Sequence, residues 1–161
     1  MDTIREMTPA EKLAKQIADL QKKREVRKAA GTEAREKQYA IDLARLDALE
    51  EEHGFERVLS IKLEGWDARI GGPTLVVARV PRASEAVMKA FESDINKSKE
   101  GSPQRLTAQS TLARACLVYP DPVKEKDDFN AVLETASGVL ANVALQVVRR
   151  AQGVAESEGK D

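Results

Sequence analysis

The side chains best suited to nucleophilic or proton-transfer chemistry are a single cysteine, Cys116, and a single histidine, His53. A Cys–His pair can supply a thiolate nucleophile when a third group orients the histidine, and no such group is evident in the pattern. Cys116 falls at an apolar position of a predicted helix, which favours a buried structural thiol. His53 precedes Gly54 at a predicted helix end, which favours a solvated position over a general base. We therefore expect no catalytic residue and no enzyme activity.

Metal and phosphate sites are also not predicted. One cysteine and one histidine cannot build a zinc site without carboxylates, and the run Glu50–Glu52 spreads its side chains round a helix axis. The sequence Gly71-Gly72-Pro73-Thr74 precedes a strand and lacks the Gly-Lys-Ser/Thr ending of a phosphate loop. We expect no cofactor and no metal. Trp66 lies in a turn, where its indole is either an anchor for a partner or a cover over the sheet.

The composition limits the class of partner and the compartment. Charged residues make up 33% of the chain, yet the formal net charge is −1, so bulk electrostatics do not indicate nucleic-acid binding. The N-terminus has no apolar core of a signal peptide, and no apolar run is long enough to span a membrane. One cysteine permits no internal disulfide. These features favour a cytoplasmic protein that binds neither membrane nor nucleic acid.

The first 54 residues are predicted to form a charged helical arm. Thr8, Pro9 and Glu11 form a capping box at a helix start, and Gly31 with Thr32 indicates a stop followed by a new start. Two antiparallel helices packed as a hairpin are the simplest interpretation, and one long helix or a coiled coil is the alternative. The predicted apolar positions of the arm are Leu13, Ile17, Leu20, Tyr39, Leu43 and Leu46.

Residues 55–153 are predicted to form a compact α+β domain, mostly α, and residues 154–161 a polar tail. Alternation around Leu59, Ile61 and Leu63 predicts a half-buried strand, and the apolar run Thr74–Val80 predicts a central one. We expect a two-stranded antiparallel sheet covered by about four helices. The last helix has a broad apolar face through Leu140, Val143 and Val147, which serves either a partner or the core.

The segment from Leu112 to Asp121, Leu-Ala-Arg-Ala-Cys-Leu-Val-Tyr-Pro-Asp, resembles one found in tail assembly chaperones of long-tailed bacteriophages. The order of elements over residues 55–153 is similar as well, whereas the arm is not covered. The resemblance implies a small protein of the infected host's cytoplasm that binds the tape measure protein and recruits tail tube subunits. It brings no catalytic residues.

The leading hypothesis is therefore a non-catalytic assembly chaperone that masks helical apolar surface of another chain. The alternative is a structural component or adaptor that forms homo-oligomers through a coiled-coil arm. The predicted partner-binding residues are Leu13, Ile17, Leu20, Tyr39, Leu43, Leu46, Trp66, Leu140, Val143 and Val147.

Overall fold

The computed structural model of the protein describes residues 6–153, which form five α-helices and one three-stranded antiparallel sheet. The helices are α1 (Pro9–His53), α2 (Ala86–Lys97), α3 (Pro103–Cys116), α4 (Lys126–Thr135) and α5 (Val139–Ala151). The strands are β1 (Val58–Lys62), β2 (Leu75–Arg79) and β3 (Leu117–Tyr119). A single 3₁₀ turn, Phe55–Arg57, joins α1 to β1. The predicted α+β fold with mostly helical content is confirmed, while the predicted tail at 154–161 lies outside the described residues.

The N-terminal arm is one continuous helix of 45 residues, so of the two interpretations left open by the sequence the long helix is confirmed and the hairpin is wrong. Thr32 does not cap a new helix, because its hydroxyl donates to the Lys28 carbonyl 3.0 Å away, within the same helix. One glycine in a helix interior costs about 1 kcal/mol relative to alanine, too little to break a helix flanked by good helix formers. At about 1.5 Å per residue, α1 is roughly 67 Å long.

Both ends of α1 follow the local sequence signals. The Thr8 hydroxyl accepts from the Glu11 backbone N–H at 3.2 Å, and the Glu11 carboxylate accepts from the Thr8 N–H at 3.2 Å, which confirms the capping box. Gly54 ends the helix with φ +92° while its N–H still donates to the Glu50 carbonyl. A positive φ at this point is easiest for glycine, which has no Cβ.

The sheet has three strands rather than the predicted two. β2 is central, pairing antiparallel with β1 on one side and with β3 on the other. The third strand is only three residues long and follows α3 without an intervening turn, so it lacks both the length and the preceding turn residues that separate a strand from a helix in sequence. The apolar run in β2 was predicted to be central, and its residues Leu75–Ala78 are indeed buried on both faces.

The two faces of the sheet contact different parts of the chain. Val76, Ala78 and Val80 pack with helices α2–α5 in the larger core cluster. Leu75 and Val77 point the other way, toward α1, in a smaller cluster. The rest of that cluster comprises Leu49, Val58 and Tyr119, with Tyr39, Leu46 and Val118 half-buried against it. The sheet is therefore covered by α1 on one face and by the other helices on the opposite face.

Among the described residues no single helix is both long enough and apolar enough to cross a membrane, and α4 and α5 meet such a test only as a pair bent by 98°.

Candidate functional site

The N-terminal half of α1 is uncovered in the described part of the chain. Every residue from Lys12 to Ala30 is exposed, a stretch of about 28 Å along the helix axis. Leu13, Ile17 and Leu20 are 57%, 47% and 56% exposed, and their spacing places them on one side of the helix. We call these three residues the distal stripe. Their apolar side chains were predicted to contact a partner, and the structure leaves them available for one.

The distal stripe lies in a basic environment. Residues 9–31 of α1, its distal half, carry seven basic and three acidic side chains, a formal net charge of +4. Arg69, from the connection between β1 and β2, lines one open groove with three basic residues of α1, Arg24, Arg27 and Lys28, and with one acidic residue, Glu25. A helical partner with acidic side chains flanking its apolar face would match this half in both properties.

The C-terminal half of α1, residues 32–53, is held to the sheet by a buried carboxylate that the sequence analysis missed. Asp42 is fully buried and accepts four hydrogen bonds. Its Oδ2 accepts from the Thr74 backbone N–H at 2.7 Å and from the Thr74 hydroxyl at 2.5 Å. Its Oδ1 accepts from the Tyr119 hydroxyl at 2.5 Å and from the Gln38 amide at 2.9 Å. Asp42 thus connects α1 to the start of β2 and to β3, and fixes the direction in which the distal half points.

Tyr119 links this buried carboxylate to the surface. Burial raises the pKa of the Tyr119 hydroxyl far above its ordinary value, and the hydrogen bond to Asp42 raises it further, so the hydroxyl keeps its proton and donates. The Arg45 guanidinium lies over the Tyr119 ring, 5.0 Å from its centroid. Arg45 also contacts both carboxylate oxygens of Glu125, at 3.2 and 3.4 Å. Such a two-point contact positions the N-terminal end of α4 against α1.

An open groove of about 510 Å³ runs along this junction. Ile41, Ala44 and Ala48 of α1 form an apolar wall. Tyr119, Glu125 and Asp128 line the opposite side. Burial raises the pKa of the Asp128 carboxyl, and the nearby negative charges of Glu125, Asp127 and Asp42 add to the effect. Arg45 also lines the groove and is paired with Glu125, so the groove combines an apolar wall with one carboxylate, that of Asp128, in excess of its basic groups.

The other three arm residues predicted to bind a partner do not lie on one surface. Tyr39 and Leu46 are half-buried against the sheet, whereas Leu43 is 41% exposed on another side of the helix. The inward positions are Tyr39, Asp42, Leu46 and Leu49, which are spaced by three and four residues. The sequence pattern predicted Leu43 rather than Asp42 at a packed position of the arm, because carboxylates are rarely buried.

Trp66 and the last helix are not free surfaces. The Trp66 indole N–H donates to the Gly72 carbonyl at 2.9 Å and the side chain is half-buried, which matches a cover over the connection between strands. Val143 and Val147 are fully buried and Leu140 is half-buried in the larger core cluster. The partner-binding assignment of α5 is therefore corrected to a core assignment, because its apolar face packs on α3 and the sheet.

The two chemically reactive side chains lie apart from the groove. Cys116 is 1% exposed, and burial raises the pKa of its thiol to about 11, which keeps it protonated at neutral pH. His53 is half-buried at the end of α1, with its Nε2 4.0 Å from a Glu52 carboxylate oxygen. Within residues 6–153 no group of three or more His, Cys, Asp or Glu side chains is arranged to hold a metal ion.

Comparison of the chain with protein-family models, with curated proteins and with solved structures found no match.

Proposed function

We propose that this protein is a non-catalytic, protein-binding assembly chaperone whose distal half of α1 captures a helical segment of a client. The observation that carries the proposal is the distal stripe: three large apolar side chains, each about half exposed, on 19 consecutive exposed helical residues. Exposed apolar positions spaced by three and four residues are the anchors by which one helix docks on another. The buried carboxylate of Asp42 supports this role because it holds the helix in one direction.

The resemblance of the segment Leu112–Asp121 to phage tail assembly chaperones supports a particular client class. On that basis the clients are the tape measure protein and tail tube subunits, and the protein acts in the cytoplasm of the infected host. A long, largely helical client would present apolar helical seams that aggregate when uncovered. The distal stripe would cover such a seam until assembly proceeds.

A second candidate function is a structural component or adaptor that oligomerises through α1. The length of α1, 45 residues in one helix, favours this candidate because helices of this length in proteins commonly pair as coiled coils. A stable oligomer that persists on dilution and binds no client would support it over the chaperone function.

Affinity capture of tagged full-length protein from its native background tests the proposed function. The wild type is compared with the triple variant Leu13→Ala/Ile17→Ala/Leu20→Ala, which removes the apolar side chains and keeps helix propensity. We expect the variant to recover client at least about tenfold less, because each lost leucine or isoleucine contact contributes on the order of 1–2 kcal/mol.

The matched control is Val26→Ala, a 64% exposed apolar residue of the same exposed stretch that lies outside the stripe. The control should recover client as the wild type does. Equal recovery by the wild type and the triple variant would refute a role for the distal stripe in client binding.

A further inference from the structure

The two halves of α1 carry opposite charge. The distal half, residues 9–31, has a formal net charge of +4. The proximal half, residues 32–53, has seven acidic and three basic side chains, a formal net charge of −4. Two copies of α1 side by side in the same direction would place like charges together along their whole length. Two copies in opposite directions would place each basic half against an acidic half.

A seven-residue repeat connects the distal stripe to the groove on the proximal half. Leu13, Leu20, Ile41 and Ala48 are separated by multiples of seven residues, so they share one of the two apolar positions of a coiled-coil repeat. Ile17, four residues after Leu13, occupies the other apolar position. In a straight helix such a line of residues drifts by about 20° per repeat, which a left-handed supercoil of two helices removes. Ile41 is 59% exposed, so this line remains accessible at both ends of α1.

The centre of this repeat has small residues where two helices would cross. Ala30 and Gly31 lie midway between the distal stripe and its counterpart positions Ile41, Ala44 and Ala48. The spacing of the stripe, four and then three residues, is the reverse of the spacing from Ile41 to Ala44 to Ala48, which is three and then four. In an antiparallel neighbour these positions run in the reverse order, so each residue of the distal stripe lies opposite one residue of the set Ile41, Ala44 and Ala48.

We propose that a second copy of this chain occupies the groove, with the two α1 helices antiparallel and the distal stripe of each copy seated on Ile41, Ala44 and Ala48 of the other. The arrangement is two-fold symmetric, so both contacts form at once. The basic side chains around each stripe then face the acidic proximal half of the partner's α1 and the Asp128 carboxylate in its groove, where Glu125 is already paired with Arg45.

This dimer rests on the distal stripe as the docking surface of the proposed function, and it makes the second copy a competitor of the client. On either side of Ala30 and Gly31 the repeat is polar, with Arg24, Arg27, Gln38 and Arg45 at positions that are apolar in stable coiled coils. We therefore expect a dimer that dissociates on dilution, rather than a permanent one. In that state the stripe is covered until a client displaces the second copy.

Sedimentation analysis of the full chain over a concentration series is the first test. We expect the mass to rise from that of the 17.7 kDa monomer toward twice this value, and the dissociation constant to increase with salt because exposed charges are screened. The double variant Lys12→Glu/Lys15→Glu, which brings the distal half to zero net charge, should weaken the dimer at least about tenfold. Adding Asp127→Lys/Asp128→Lys to this variant should restore much of the lost affinity.

Cross-linking through single cysteines tests the direction of pairing. Leu20→Cys and Ile41→Cys are prepared separately, treated with a short bismaleimide, and then mixed and treated again; Cys116 is buried and serves as an internal unreactive thiol. We expect a cross-linked dimer only in the mixture. Self-linking of Leu20→Cys alone would show parallel pairing and overturn the proposal, as would a monomer at every concentration.

The two proposals fail separately. A chain that remains monomeric but loses client in the triple stripe variant would overturn the dimer and leave the proposed function intact. A dimer with the expected cross-link, from a chain that captures no other protein, would support the dimer and remove the chaperone function.

Discussion

Asp42→Ala is expected to destabilise the fold by about 3–5 kcal/mol. The substitution removes the acceptor for the Thr74 N–H, the Thr74 hydroxyl and the Tyr119 hydroxyl, all of which lie in buried residues. Each buried donor left without an acceptor costs about 1–3 kcal/mol. Chemical denaturation monitored by circular dichroism measures the change in free energy of unfolding.

Two further variants isolate the cause. Asp42→Asn retains an acceptor oxygen of the same shape, and we expect it to cost about half as much as alanine or less. Asp47→Ala removes an exposed carboxylate from the same helix and should change the free energy of unfolding by less than about 0.5 kcal/mol. A cost below about 1 kcal/mol for Asp42→Ala would contradict the role given to this carboxylate.

A chain that starts at Phe55 is expected not to fold cooperatively. It lacks Asp42, Leu46 and Leu49, and it exposes the face of the sheet that α1 covers. A chain that starts at Thr32 keeps these residues and removes only the distal half, whose residues from Lys12 to Ala30 are all exposed. We expect its free energy of unfolding to lie within about 1 kcal/mol of the full chain, apart from any contribution of dimerisation.

The predicted division at residues 54 and 55 is tested by the same pair of chains. Thermal unfolding and amide dispersion in NMR spectra distinguish a cooperative fold from a collapsed chain. If the chain starting at Phe55 unfolds cooperatively with a stability near that of the full chain, the arm and the domain divide at Gly54. That outcome would show that the Asp42 contacts are dispensable.

Local sequence signals predicted both ends of α1. Whether the helix continues between them depended on small free-energy contributions that oppose one another. The capping box at Thr8 and the glycine at 54 each satisfy backbone groups that have no other partner, so their effect is strong and local. Gly31 with Thr32 has the same residue types as a helix stop. Only the small cost of one glycine opposed a continuous helix there, and the flanking helix formers outweighed it.

Tertiary contacts determined what the sequence pattern could not. The third strand is three residues long and exists because β2 offers it an unpaired edge, which no local pattern shows. Asp42 is buried because Thr74 and Tyr119, 32 and 77 residues away, supply the donors that a buried carboxylate requires. A search for polar residues on the inward side of an apolar stripe would have found it.

The candidate site was predicted in part. Leu13, Ile17 and Leu20 were identified as a stripe from their spacing alone, and they are exposed. The same reasoning applied to Leu140, Val143 and Val147 described a face that packs in the core. The sequence pattern of an apolar helical face is the same whether that face packs against its own chain or against another chain. Only the three-dimensional contacts distinguish the two cases.

Site-specific photo-crosslinking in the native background tests the central claim most directly. A photoreactive amino acid replaces Ile17 in the full chain, and a matched chain carries it at Val123, which is 85% exposed on the connection between β3 and α4. We predict an adduct between position 17 and a helical segment of a second protein chain, and little or none from position 123. No adduct from position 17, together with an adduct from position 123, would show that the distal half of α1 is not the docking surface.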